Sequence, residues 1–141
     1  MSKQKLELTW IGKDQRPRLE PRILLEDPSK SYHAKQRVSD GDIFDNRLIF
    51  GDNLLALKAL EQEFAGKVKC IFIDPPYNTS ASEILYKNSY KHSSWLSLMA
   101  NSFELSRSLL TEDGLAEVAI DDAENRYLHL LLESVFGQEN Y

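Results

Sequence analysis

The residues with the clearest chemical potential are Asp74, Pro75, Pro76 and Tyr77, which directly follow the apolar run Val68–Ile73. An exocyclic amine on a nucleobase is a poor nucleophile because its lone pair is delocalised into the ring. Two acceptors aimed at its N–H groups would favour a pyramidal nitrogen and free that lone pair. The Asp74 carboxylate and the Pro75 carbonyl would supply such acceptors, and the prolines would hold them rigidly. The tetrapeptide therefore predicts chemistry on a base amine.

Tyr77 adds a flat aromatic face next to the predicted acceptors. A base taken out of a duplex for chemistry is expected to stack on such a face. The competing interpretation is a rigid turn that merely ends a strand, because proline fixes φ and removes a backbone donor. The position after a buried strand, together with the rarity of the tetrapeptide, favours the catalytic interpretation.

Strands and helices are predicted to alternate from residue 48 onward. Short apolar runs indicate strands, and apolar residues at helical spacing follow each of them. Alternation of this kind predicts an α/β fold, with a mainly parallel sheet and flanking helices. The strand after Gly66 is expected to be buried on both faces, with Cys70 in the core. The predicted strands are Leu48–Phe50, Val68–Ile73 and Leu115–Ile120, and the helices are expected to begin at Asp52 or Asn53, at Ser93 or Ser94, and at Asp121-Asp122.

Three acidic residues, Asp52, Asp74 and Asp121, each follow a predicted strand. Ligands bind at the carboxyl ends of parallel strands, so these residues are expected to line one site. Helix capping is the competing role. It explains Asp52 equally well, and it is the favoured explanation for Asp121 and Asp122.

Residues 1–47 are predicted to form an irregular N-terminal arm with one short strand at Leu6–Gly12. The arm is expected to be irregular after this strand, because three prolines and an Asp-Gly-Asp turn follow it. The formal net charge of the chain is −5. The arm carries 10 basic and 8 acidic residues, whereas residues 48–141 carry 7 and 14. Affinity for DNA comes largely from Lys and Arg, so the main DNA-binding surface is expected outside residues 48–141.

The stretch Leu48–Asn78 resembles the start of the catalytic region of β-class DNA amino-methyltransferases. It is especially similar to the adenine-specific modification subunits of type III restriction-modification systems. Residues 7–32, Trp95–Met99 and Ile120–Asp122 share the resemblance, which therefore runs through nearly the whole chain. It implies a partial Rossmann-like methyltransferase fold, with residues 48–141 as an incomplete catalytic domain.

The resemblance also implies a site and its ligands. Asp74, Pro75, Pro76 and Tyr77 match the catalytic motif, with Tyr77 stacking the target base. Asp52 and Asp74 are expected near the cofactor, S-adenosylmethionine, and no metal is expected. The implied partners are double-stranded DNA and, in the complete protein, a restriction subunit and a second modification subunit. A cytoplasmic location without membrane association is expected.

The sequence departs from the family pattern at several points. Ser80 stands where glycine is common, and Glu117 falls inside a predicted strand, where a buried carboxylate would be costly. None of the six glycines is close enough to another to form the family's Phe-x-Gly-x-Gly cofactor motif. We therefore expect an N-terminal fragment that is inactive by itself. The alternatives are a non-catalytic remnant or assembly module, and a methyltransferase acting on RNA or on a protein amide.

Overall fold

The computed structural model describes residues 7–32, 34–79 and 91–140. Within these residues β1 and β2 form a parallel two-stranded sheet, and helices flank it. The predicted α/β class with a parallel sheet is confirmed, and the arrangement is consistent with the expected partial methyltransferase fold. In chain order the elements are α1 (Asn53–Phe64), β1 (Val68–Ile73), α2 (Lys91–Leu109), β2 (Leu110–Val118), α3 (Asn125–Phe136) and a 3-10 turn (Gln138–Asn140).

Helix α1 begins where the sequence predicts. Oδ1 of Asp52 accepts a hydrogen bond of 3.0 Å from the backbone N–H of Leu55, which satisfies one unpaired donor of the first turn. The helix ends at Phe64, and Gly66 adopts a φ of +65°, a left-handed conformation that favours glycine. The backbone N–H of Gly66 then bonds to Ser108, so the end of α1 is tied to the end of α2.

The two faces of the sheet differ. Cys70 pairs with Leu115 and Phe72 with Glu117, and partners in parallel strands share a face. On this face Cys70 and Glu117 are exposed, Phe72 is 64% exposed and Leu115 59%. The expectation that β1 is buried on both faces, with Cys70 in the core, is therefore wrong. Glu117 is exposed and avoids the penalty of a buried carboxylate.

The opposite face of the sheet lies against the hydrophobic core. Ile73 and Val118 pair with each other there and pack against the buried cluster. Helix α2 contributes most of that cluster and contacts both α1 and α3. Its apolar residues recur at helical spacing, so burying them on one side follows from the pattern. The buried apolar residues are Trp95, Leu96, Met99, Phe103, Leu109, Leu128, Leu131 and Val135.

Two predicted strands do not form in the described part of the chain. Leu48 and Phe50 are fully exposed, and residues 48–50 have no regular structure. Residues 7–10 are irregular and residues 11–14 form a turn, so the strand expected at Leu6–Gly12 is absent over its described residues. A strand needs a neighbour for its backbone hydrogen bonds, and apolar alternation alone does not provide one.

Several element boundaries also shift. Helix α2 begins at Lys91, slightly before the predicted Ser93 or Ser94, and β2 begins at Leu110 rather than Leu115. The register of β2 is irregular before Leu115, and a Cβ atom at Gly114 would lie 2.9 Å from Leu110 Cδ2. Asp113 and Gly114 thus lie at an irregularity within the strand.

Two residues in the described part of the arm contact α2. Trp10 Nε1 donates a 2.9 Å hydrogen bond to Ser97 Oγ, and Arg16 pairs with Glu104. The arm contains neither helix nor strand among its described residues. Among all the described residues, no helix combines the length and apolar character needed to span a membrane.

Candidate active site

The predicted catalytic tetrapeptide forms the loop that leaves β1. Asp74 is exposed, Pro75 is buried and Tyr77 is partly buried. The Asp74 carboxylate interacts with the Tyr77 hydroxyl and raises the pKa of Tyr77 above its ordinary value. The negative charges of Asp74 and, more weakly, Asp121 add to this rise in pKa. Three of the predicted site residues therefore lie near one another.

Trp95 supports the loop from within the core. It is fully buried, and its indole N–H donates a 2.8 Å hydrogen bond to the Pro76 carbonyl. Pro76 cannot donate through its own nitrogen, so its carbonyl is the backbone group through which helix α2 can hold it. The acceptor proposed for a substrate amine is the preceding carbonyl, that of Pro75. Its contact with a substrate remains a prediction.

The next residue, Asn78, is held by a residue that the sequence did not single out. Asn78 has a φ of +57°, in the left-handed region that asparagine tolerates better than most residues. Its side-chain amide donates to Oε1 of Glu124, a fully buried side chain. His92 Nδ1 lies 2.8 Å from the same oxygen. The only feature of the sequence that could have indicated a role for Glu124 is its position three residues after the predicted strand end at Asp121. The contacts of Glu124 with Asn78 and His92 depend on the fold.

Asp121 and Asp122 do not cap helix α3. Oδ1 of Asp121 accepts a 2.9 Å hydrogen bond from the backbone N–H of Ala123, which forms a turn before the helix. Helix α3 begins only after Glu124, whose side chain makes no capping bond. The favoured capping role for Asp121 and Asp122 is therefore wrong in detail, and Asp121 instead lies near Tyr77.

Asp52 takes one of the two roles that the sequence left open, that of a helix cap. The strand predicted before it does not form, and its carboxylate caps α1. Its proximity to the cofactor stays a prediction. Ser80 lies outside the described residues. Among the residues described, no group of three His, Cys, Asp or Glu side chains could hold a metal ion.

Comparison with known proteins relates this loop to DNA modification. The chain matches the family model described as DNA methylase over residues 68–141, which contain the whole loop. It is 43% identical, over 106 residues, to the probable type III restriction-modification enzyme HindVI Mod subunit of Haemophilus influenzae; the match covers 75% of this chain and 14% of that protein.

Two further relatives extend the similarity. The type III EcoPI Mod subunit of Escherichia phage P1 is 33% identical over 175 aligned residues, covering all of this chain and 26% of that protein. The type II methyltransferase M.KpnI of Klebsiella pneumoniae is 28% identical over 115 residues, covering 75% of the chain and 27% of that protein. The chain thus spans about a quarter or less of these relatives. The family match covers more than half of its residues and includes the loop after β1, so the chain belongs to the DNA methylase family.

Proposed function

We propose that this chain supplies the amine-binding part of a site-specific DNA methyltransferase that modifies the exocyclic amine of adenine. The observation that carries this proposal is the arrangement at the end of β1. An exposed carboxylate, Asp74, lies beside a partly buried aromatic ring, Tyr77, and raises its pKa. The loop that bears them is held by hydrogen bonds to the buried side chains of Trp95 and Glu124.

Asp74 would act on the target amine directly. Its carboxylate would accept one N–H of the amine while the Pro75 carbonyl accepts the other, so the nitrogen lone pair becomes available. As the nitrogen gains a methyl group it must release one N–H proton, which would pass to the solvent beside the exposed Asp74. The negative charge of Asp74 would stabilise the positive charge that develops on the nitrogen before the proton leaves. Tyr77 would stack the extruded base on its aromatic face.

S-adenosylmethionine is the methyl donor proposed for this site. When bound, it supplies an electrophilic methyl group on a positively charged sulfur. The exposed Asp74 carboxylate and nearby Asp121 suit such a positive ligand electrostatically. Asp52 is proposed as a further acidic group near the cofactor, although it also caps α1.

The proposed partners follow from the similarity to modification subunits. They are double-stranded DNA and, in a protein of the relatives' length, a restriction subunit and a second modification subunit, with a location in the cytoplasm. The acidic balance of residues 48–141 favours a main DNA-binding surface elsewhere in such a protein. We propose that residues 1–47 and 48–141 are the arm and an incomplete catalytic domain, and that these 141 residues transfer no methyl group by themselves.

The proposal can be tested in a full-length form of the enzyme with variants of Asp74 and Tyr77. Asp74→Ala removes an acceptor that acts mainly in the transition state, so the single-turnover methyl-transfer rate should fall about 100- to 1000-fold while DNA binding persists. Tyr77→Phe keeps the aromatic face and should retain much of the activity. Tyr77→Ala loses a stacking surface worth roughly 1–3 kcal/mol, so capture of the base should weaken.

The measurements are single-turnover methylation and the fluorescence of 2-aminopurine placed at the target base. Asp113→Ala is the matched control, because Asp113 is an exposed acidic residue that pairs with Lys69 outside the loop. An Asp74→Ala variant that methylates at the parent rate would show that the carboxylate only shapes a turn. Methylation of RNA or of a glutamine amide in preference to DNA would support a different substrate class.

A further inference from the structure

The geometry points to Glu124 as the positioning residue of the catalytic loop: its buried carboxylate holds Asn78, and through Asn78 it sets the place of Tyr77 and Asp74. This inference rests on the proposed function, because it assigns a role within the same site. Glu124 does not belong to the tetrapeptide. It follows β2 in the chain and lies at the start of α3.

Glu124 is held firmly by its own surroundings. Its side chain has no exposed surface, and its backbone carbonyl accepts the first hydrogen bonds of α3, from Tyr127 at 3.0 Å and from Leu128 at 2.9 Å. Leu128 is buried in the hydrophobic core. The carboxylate is therefore carried by a rigid element that is itself anchored, as a group that positions a loop requires.

The contacts of Glu124 join three elements at one oxygen. Oε1 accepts from the Asn78 side chain in the loop after β1, and it lies 2.8 Å from Nδ1 of His92 in the first turn of α2. The His92 ring is tilted against Tyr127 of α3, with ring centroids 4.8 Å apart. The loop, the start of α2 and the start of α3 thus converge on this carboxylate.

Asn78 is well suited to transmit this contact to the catalytic residues. It adjoins Tyr77 in the chain, and its left-handed backbone turns the chain directly after that residue. A left-handed non-glycine residue needs support from its surroundings, and the bond from its side chain to Glu124 provides it. With Trp95 holding the Pro76 carbonyl, Tyr77 has an anchored residue on each side.

The same carboxylate is a poor choice for stability alone. Burying a carboxylate is costly, and Oε2 of Glu124 has no hydrogen-bond partner among the described residues. An acid kept at this position therefore fits a requirement for geometry in the loop better than a requirement for packing.

The test compares Glu124→Ala and Glu124→Gln in a full-length form of the enzyme. Displacement of reacting groups by about 1 Å can lower a rate about 100-fold, so Glu124→Ala should lower the single-turnover rate to this extent with little change in DNA affinity. Glu124→Gln keeps an acceptor oxygen for Asn78 and should restore the rate to within about fivefold of the parent.

Glu133→Ala is the matched control. Glu133 lies on the same helix, and its carboxylate is 3.1 Å from the imidazole of His129, so its removal also breaks a pair between glutamate and histidine. Amide hydrogen exchange of residues 74–79 supplies a readout that does not depend on activity. We expect faster exchange there in Glu124→Ala than in Glu133→Ala when both are measured at equal stability.

Asn78→Gly tests the route of the effect, since glycine adopts a positive φ freely but lacks the amide. In the Asn78→Gly background, Glu124→Ala should cause little further loss of rate, because the coupled partner is already absent. The positioning role would be overturned if Glu124→Ala lowered the rate in the Asn78→Gly background as much as it does in the parent. It would also be overturned if Glu124→Ala and Glu133→Ala had equal methyl-transfer rates and equal hydrogen exchange. If the parent enzyme transfers no methyl group to DNA, the proposed function fails, and hydrogen exchange still decides the role of Glu124.

Discussion

The exposed sheet face should make Phe72 a contact point between molecules of the 141-residue chain. Phe72 is 64% exposed, so about a third of its surface is buried within the chain. Full burial of a phenylalanine side chain contributes about 1.5–3 kcal/mol, so Phe72→Thr should lower the free energy of unfolding by only about 0.5–1 kcal/mol. Threonine retains the preference for a strand. Self-association should weaken, because exposed apolar patches favour it.

Ile73→Thr is the matched control, since Ile73 is the next residue in β1 and packs against the core on the opposite face. Loss of apolar packing together with a hydroxyl placed near the core should cost on the order of 2 kcal/mol. Urea unfolding measures the stabilities, and sedimentation equilibrium measures the association.

The reasoning about Phe72 would be refuted in either of two ways. Equal destabilisation by Phe72→Thr and Ile73→Thr would mean that both faces of β1 are covered. An unchanged association constant for Phe72→Thr would mean that molecules associate through a different surface. A parent chain that stays monomeric and melts in one sharp transition would also contradict the expected role of the open face.

Two further predictions concern Tyr77 and Asp52. Asp74 raises the pKa of Tyr77 above its ordinary 10.0, so the associated stability is present below about pH 10 and is lost as the pH rises through the folded-state pKa. Asp74→Asn should shift Tyr77 ionisation to lower pH in ultraviolet difference spectra and reduce this alkaline loss; an unchanged titration would show that Asp74 does not control it. Asp52→Ala should cost about 0.5–2 kcal/mol in urea unfolding because the α1 cap is lost, whereas Asp52→Asn keeps the cap. Weaker S-adenosylmethionine binding by Asp52→Asn in a full-length enzyme would support the cofactor role, and unchanged binding would leave Asp52 as a cap alone.

Local pattern was sufficient for the elements that carry the catalytic loop. The run Val68–Ile73 predicted β1 with its observed bounds, and Asp52 marked the start of α1. These signals are local, because β-branched residues, side-chain caps and glycine act through their own backbone and close neighbours. The resemblance that identified residues 74–77 was equally local, and the DNA methylase match includes them.

Burial of β1 was not predictable in the same way. An unbroken apolar run indicates that a strand can be buried on both faces. Whether each face is buried depends on which other elements of the fold pack against it. In the described residues the helices protect Ile73, while Cys70 and Phe72 remain exposed. Leu48–Phe50 failed as a strand for a related reason, since apolar character cannot provide a pairing partner.

The support of the active site was decided by tertiary structure. Glu124 is 46 residues from Asn78 and 32 from His92 along the chain, and no spacing rule relates them. They meet because β2 pairs with β1 and places the start of α3 beside the loop after β1. The sequence by itself therefore determined which residues could carry the chemistry, because residue type and local backbone preference are written in it. Only the packing of distant elements decided which buried side chains hold those residues in place.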